Sequence, residues 1–580
     1  MRLRAVLLLI VALLVSLAPT SAVGNSDLLI DNEWALTDPP IGTPSQGIWF
    51  SEPVLQPTST SYLTSFIDCT GQSADCAGKE KRSEHICTSV TTETCATESS
   101  ISYNAFLPKC ESDSDTNCIE SVWLRKGDKR VYGQLDQYMP KSSPLHFAGD
   151  SSKNLPEGKS TSLWRFARGE FDDQEHLLSA SARLFGSSSQ KPFVKFPTPR
   201  SLEVVIDPVK LHSGKYQIPT PSNTSNGWSI TGGYTRERSG DFGPAYLGFC
   251  SAVDAGVCAR RQPSIQDARY GITVRLLDPP AAWLSGRLKD VSFEIDFKNG
   301  SYVWSIEADP MVVPVASAWV PNSDYEKTFP GTKISNMEET SWRGPLSRGD
   351  GAIREFLKWE NFIGDKAGAL HSRWSVESIQ DSSQLINGKS LTECLRNERV
   401  AGVVTSNAMV FQDSPPKWNA AEGAFDYVVA GPHLLPDGNE NLGLYRVKLN
   451  QQFARCIYGI SNAPIVATVS VIAQGEVRKV STSSIQSDGS WIDLAIAGFT
   501  YSSPTLRFKL QAATPSPTPT QVPSLANQTT SNSGASQVAT AKPSTTPANS
   551  KSSKTSTCVK KSKTKKSTTK LTNCVKTTKR

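Results

Sequence analysis

The chain has 580 residues and a formal net charge of +6, which is too long for one hydrophobic core, so several domains are expected. AVILMFWYC supply 38% of it, which excludes a wholly disordered chain, and the presence of one long apolar run excludes a polytopic membrane protein. Residues 513–580 carry eleven lysines and Arg580 with no acidic residue, whereas 24–512 hold 47 basic against 55 acidic residues; a basic tail follows an acidic body, and a nucleic-acid role for the body loses its support.

The apolar run is Ala5 to Ala18, preceded by Arg2 and Arg4 and followed by Pro19-Thr20-Ser21-Ala22. It predicts a signal peptide over residues 1–22, with retention as an N-terminal anchor as the rival and no membrane span after its removal. The 12 cysteines agree with export, and most fall in close pairs: Cys69/Cys76, Cys87/Cys95, Cys110/Cys118 and Cys250/Cys258. Each pair encloses small or polar residues that a local disulfide can close at a hairpin tip or Ω-like loop. Zinc is the rival, but it favours tighter cysteine spacing with histidine partners, and only His85 lies near. Cys394 and Cys456 are left for a long-range bridge, and Cys558 with Cys574 for a loop in the tail.

A β-rich, disulfide-stapled domain is expected over 23–215, with strands at Ile119–Leu124, Val131–Leu135 and Ser201–Ile206. A second, sandwich-like domain is expected over 216–340, with a strand at Tyr270–Leu277. Tyr103–Leu107 leads into Cys110 much as Pro244–Phe249 leads into Cys250, which points to two related β-modules. The sharpest local signal is a hairpin: Val291, Phe293, Ile295 and Phe297 alternate with polar residues, Asn299-Gly300 fits a type I′ turn, and Tyr302, Trp304 and Ile306 alternate again. The turn sets the register, with Phe297 opposite Tyr302, Ile295 opposite Trp304 and Phe293 opposite Ile306.

Residues 341–512 predict a β-rich α+β domain. Asp350 can cap a helix carrying Ile353, Phe356, Leu357 and Ile363, stopped by Gly364. Ser390 and Glu393 form a capping box for a short helix with Leu391, Cys394 and Leu395 on one side. Strands follow at Val400–Thr405, Phe425–Val429, Leu444–Leu449, Ile465–Ala473, Glu476–Ser483, Trp491–Ile496 and Thr505–Leu510. In 513–550, 21 of 38 residues are Pro, Ser or Thr, so an extended linker is expected before a Lys-rich tail over 551–580. The fold class is mainly β: sandwich-like modules, then a β-rich α+β domain and a disordered tail.

Ala454-Arg455-Cys456-Ile457-Tyr458-Gly459-Ile460, Ala467–Val471 and Gly498–Thr505, with Val403–Ala408 and Gly431-Pro432-His433 upstream, resemble an uncharacterised exported family of actinobacteria over residues 351–510. The lysine run with Cys558 and Cys574 looks like a basic tail of secreted proteins from these bacteria, without the Pro-Lys-Cys-Pro segment and Gly-Tyr-Lys close of that pattern. The resemblance implies an exported, envelope-associated protein and assigns no activity.

The sequence lacks a Gly-x-Ser-x-Gly elbow, a His-Glu-x-x-His motif, a phosphate loop and a dinucleotide fingerprint. A glycan hydrolase needs only two carboxylates brought together in space, and Glu170, Asp172 and Asp173 beside Phe171 and Trp164 form the densest acidic cluster, which a solvated face also explains. Asp113-Ser114-Asp115-Thr116-Asn117 opens like a calcium loop, but Cys118 and Leu124 stand where glycine and glutamate are needed; Asp437-Gly438 reads as a polar turn. No metal or cofactor is expected. Core packing accounts for Trp304 and Trp491, whereas Trp49, Trp228 and Trp418 are the candidates for exposed stacking on sugar rings. Lys560, Lys561, Lys563, Lys565 and Lys566 can bind polyanions such as anionic envelope polymers or lipids. Together these readings predict a secreted, envelope-associated, non-catalytic structural or binding protein with a glycan or protein ligand on its body, the alternative being a secreted glycan-active hydrolase with a carboxylate pair.

Overall fold

The computed structural model describes residues 40–513, apart from 41, 52–64, 70–85, 88, 90, 93–94, 96–99, 144, 151–154, 167–170, 172–174, 188–200, 214–219, 222–229, 232–250, 280, 344–345, 380–384, 396–397, 413–414, 474–475, 479–481, 489 and 502–503. The signal segment, linker and Lys-rich tail, Trp228, Glu170, Asp172, Asp173, Cys76, Cys250, Cys558 and Cys574 lie outside the described residues, as does the approach to Cys250.

The protein is mainly β. The expected hairpin is present in the register read from its turn: Phe293 faces Ile306, Ile295 faces Trp304 and Phe297 faces Tyr302, with φ of 51° at Asn299 and 79° at Gly300. Its strands run far beyond the alternating stretch, as Ala282–Lys298 and Ser301–Pro321. Phe293, Trp304 and Ile306 are buried, each contributing roughly 2 kcal/mol by leaving water.

Pairing around this hairpin closes on itself. Ser301–Pro321 bonds to Ala268–Leu276, then the circuit passes through Cys118–Lys126, Lys129–Met139, Thr161–Phe166, Glu175–Ser187, Ser201–Ser213 and Ser375–Ile379 to Ala282–Lys298. The result is a barrel, which leaves those strands without free edges. Its interior holds Val122, Leu124, Leu178, Val204, Tyr270, Ile272, Val274, Trp304, Ile306 and Trp374.

Sandwich packing belongs to the later part of the chain. The first half of Ala282–Lys298 also pairs in parallel with Val400–Ser406, and that sheet continues through Leu442–Asn450, Trp491–Thr500 and Thr482–Asp488. A six-stranded sheet centred on Ala424–Ala430 and Thr505–Ala512 shares a core with it, in which Val404, Val447 and Leu494 join Phe425, Leu506 and Phe508. The boundaries expected at 215/216 and 340/341 are crossed by ladders, since Ser201–Ser213 pairs with Val257–Arg261 and Ser45–Phe50 pairs with Ser341–Arg343. One compact unit extends through Thr514.

The capping box forms: Glu393 Oε2 accepts from the Ser390 amide at 2.6 Å and Ser390 Oγ accepts from the Glu393 amide at 3.3 Å. Helix Gly349–Ile363 ends at Gly364 as expected, but its start and stripe differ. Arg348, not Asp350, is the N-cap residue, and Asp350 instead pairs with Lys417 at 2.8 Å. Leu357 is 46% exposed while Ala352, Ile353, Phe356 and Trp359 are buried, so the buried stripe is rotated toward Trp359. The sequence reading missed helices Asn322–Thr328 and Gln451–Tyr458. The second carries ordinary signals, with Asn450 Oδ1 capping the Phe453 amide at 2.9 Å and Gly459 left-handed at φ 65°.

Candidate functional site

Disulfides join Cys87 to Cys95, Cys110 to Cys118 and Cys394 to Cys456, with Cα separations of 6.1, 5.1 and 5.5 Å. Cys258 is also disulfide-bonded; Cys69 lies in strand Phe66–Cys69. Within the Cys110–Cys118 loop the Asp115 carboxylate accepts from the Glu111 and Ser112 amides at 2.7 and 2.8 Å and from Ser112 Oγ at 2.7 Å. Those hydrogen bonds, the Ser112 hydroxyl first, lower its pKa. Asp115 therefore organises the turn itself. Asp437 does the same for its turn, accepting from the Asn439 amide at 2.9 Å. Among the described residues no group of three metal-ligating side chains converges.

The tryptophan candidates separate. Trp49, expected to be exposed, is 0% exposed, because Ser45–Phe50 is flanked by Ser301–Pro321 on one edge and Ser341–Arg343 on the other and is buried throughout. Trp418 is half-buried against Phe425 and Tyr458, at ring distances of 5.1 and 5.4 Å. Neither supplies an open platform.

An exposed aromatic ring, Tyr132, stands on the outer face of the barrel beside the buried Trp123. Because side chains alternate along each strand, the partners of the core residues Val122, Leu124, Ile272 and Ile306 point outward. Ladder register places Ser292, Glu307, Gly271, Trp123 and Tyr132 side by side across five strands. Gly271 is required here: a Cβ on it would meet Trp123 Cε2 at 2.1 Å, so the indole lies flat across the missing side chain. Trp123 Nε1 then donates to Glu307 Oε2 at 2.7 Å. Tyr132 sits beyond Trp123 at a ring distance of 6.1 Å and is 55% exposed.

Arg269, Arg125 and Arg130 form the adjacent cross-strand row, an arrangement of like charges that is unfavourable alone. Glu307 resolves it. Arg125 Nε and Arg269 Nε donate to Oε1 at 2.8 and 3.0 Å, and Arg130 Nη2 donates to Oε2 at 2.9 Å. Burial works to raise the Glu307 carboxyl, but hydrogen bonds from Arg125, Trp123 and Arg269 and the Arg125 charge outweigh it and hold the pKa at about 2. The Arg130 guanidinium stacks 4.7 Å above the Trp123 ring. Thr273 and Ser305, 3.1 Å apart, supply hydroxyls nearby.

A second polar cluster is closed. Glu203 and Glu377 occupy directly opposed positions on adjacent strands, with Ser285 next in the row. These side chains, with Gly286, Arg348 and Arg373, line a cavity of about 20 Å³, the size of one water. Arg348 ion-pairs with both glutamates, at 3.6 Å to Glu203 and in direct contact with Glu377. Glu203 and Glu377 are two carboxylates brought together from residues the sequence did not single out, and both are engaged by Arg348.

Two serine–histidine pairs also form, Ser51 Oγ at 3.1 Å from His371 Nδ1 and Ser160 Oγ at 2.7 Å from His146 Nε2. That spacing suits a nucleophile and its base, yet both serines are buried. Burial and then the Arg261 and Arg373 charges push His371 well below the usual imidazole range, so it is neutral at pH 7.

No protein-family model, curated protein or solved structure matches the chain.

Proposed function

We propose that the chain is an exported, envelope-associated binding protein of the exported family that residues 351–510 resemble, and that its body binds glycans on the outer barrel face. The observation that carries this reading is Tyr132, 55% exposed beside a Trp123 that is held flat by Gly271 and Glu307. An aromatic ring fixed on a rigid sheet stacks on the apolar face of a sugar without losing conformational freedom on binding. The disulfides support export, and among the described residues no helix is long and apolar enough to cross a membrane. Retention at the envelope is assigned to Lys560, Lys561, Lys563, Lys565 and Lys566.

The hydrolase alternative rests on the Glu203/Glu377 pair. A glycosidase needs one carboxylic acid and one free carboxylate around a bound sugar, whereas here Arg348 holds both beside a cavity of about 20 Å³. The test is retention of the full chain on insoluble neutral polysaccharides, with release of reducing ends followed in parallel. Retention that Tyr132→Ala abolishes, without release, is the expected outcome. Release of reducing ends that Glu377→Gln stops would replace the binding reading with the hydrolase.

A further inference from the structure

We infer that the outer barrel face takes an acidic glycan, with Arg130 as the subsite for a carboxylate or sulfate on the sugar next to the one stacked on Tyr132; this deepens the glycan-binding reading and rests on it. The three arginines around Glu307 are not equivalent. Arg125 has all its nitrogens engaged, on Glu307 and the Gly127 carbonyl. Arg269 is likewise occupied by Glu307, Asp309 and the Asp290 carbonyl. Both are structural.

Arg130 differs. Its Nη2 donates to Glu307, it meets the Tyr132 hydroxyl, and its side chain is 42% exposed. A guanidinium carries five N–H donors in a planar fork, so donors remain on Arg130 for a ligand. Trp123 below and Glu307 beside it fix the plane of that fork, and a pre-oriented guanidinium recognises planar carboxylates and tetrahedral oxyanions by paired hydrogen bonds. The immediate charge is also of the right sign. Arg125, Arg130 and Arg269 face Glu307 and Asp309, a local excess of one positive charge, whereas the body from 24 to 512 has more acidic than basic residues. An anionic substituent is therefore attracted to this face more than to its surroundings.

The test uses the full chain with polygalacturonate and with its fully methyl-esterified form, the same backbone without charge, and dextran sulfate against dextran to separate sulfate from carboxylate. Lysine-tail binding is common to every variant and is subtracted, as the binding of the isolated 513–580 tail peptide, before wild type and variant are compared. The expected result is that Arg130→Gln weakens binding to the acidic polymer about tenfold to a hundredfold, the scale of paired charge-assisted hydrogen bonds, and weakens binding to the ester by a much smaller factor. Arg130→Lys keeps the charge without the fork and recovers only part of the loss, which excludes a simple charge effect. If Arg130→Gln and Arg130→Lys both bind the acid as wild type does while Tyr132→Ala still loses the ester, the face binds glycans and the acidic subsite is overturned. If Tyr132→Ala changes binding to neither polymer, the glycan-binding reading falls and the inference falls with it.

Discussion

The two charged clusters of this protein use the same parts and reach opposite ends. Around Glu307, three arginines share one carboxylate on the outside of a closed barrel; around Arg348, two carboxylates share one arginine beneath neighbouring elements. In the first cluster the surplus group is a cation beside an open aromatic ring, so a ligand can be added to it. In the second, one guanidinium is already engaged by both anions, and the cavity has room for one water. Saturation and exposure, rather than residue type, separate a face with donors to spare from one whose donors are used up.

The largest effect is expected where the charges are closed in. Arg348→Ala removes the arginine that the opposed Glu203 and Glu377 share, costing about 3 kcal/mol or more, read as a lowered denaturant midpoint; adding Glu377→Gln recovers much of it. A loss below about 1 kcal/mol would mean that the glutamates are already solvated and that the contrast with the outer face is wrong.

Next comes Glu307. Its folded carboxyl lies at about 2 against an ordinary 4.5, so its contribution is fully present above pH 4.5 and is lost as pH falls toward 2, about 3 kcal/mol in all. In Glu307→Gln the stability at neutral pH drops toward that amount and this part of the acid dependence disappears; an unchanged acid limb would show that the arginines do not act through Glu307. Gly271→Ala is expected to cost about 1–3 kcal/mol by lifting Trp123 off the sheet, and the indole fluorescence should shift with it. The smallest stability effect belongs to Tyr132→Ala, within about 0.5 kcal/mol, although it removes glycan retention. A large unfolding effect there would make Tyr132 a packing residue and erase the distinction between the clusters.

Local structure was legible wherever neighbouring residues decide it. The Asn299-Gly300 turn fixed every cross-strand pair of its hairpin because the φ > 0 residues set the loop length and the loop sets the register. Ser390 and Glu393 bond reciprocally across three residues, so their capping box needs no tertiary context. Helix Gln451–Tyr458 was legible too, from Asn450 and Gly459, and was missed beside the strands around it. Trp49 failed for a different reason: the small and polar neighbours Gly47 and Ser51 describe its own strand, whereas its burial comes from strands more than 250 residues away.

The candidate site was legible only in fragments. Ile119–Leu124 and Val131–Leu135 were expected strands, and their alternation already sets Trp123 and Tyr132 opposite the core residues. Glu307 lies 184 residues from Trp123, and nothing in either segment names the other. Sequence alone determined the elements, the turn-set registers and the asymmetry between acidic body and basic tail, because those depend on steric preferences and charges carried by adjacent residues. Tertiary structure decided the barrel closure, which cysteines and carboxylates meet, and which arginine keeps donors for a ligand. Those outcomes depend on the register between strands remote in the chain, where a shift of one residue would turn every outward side chain into the core.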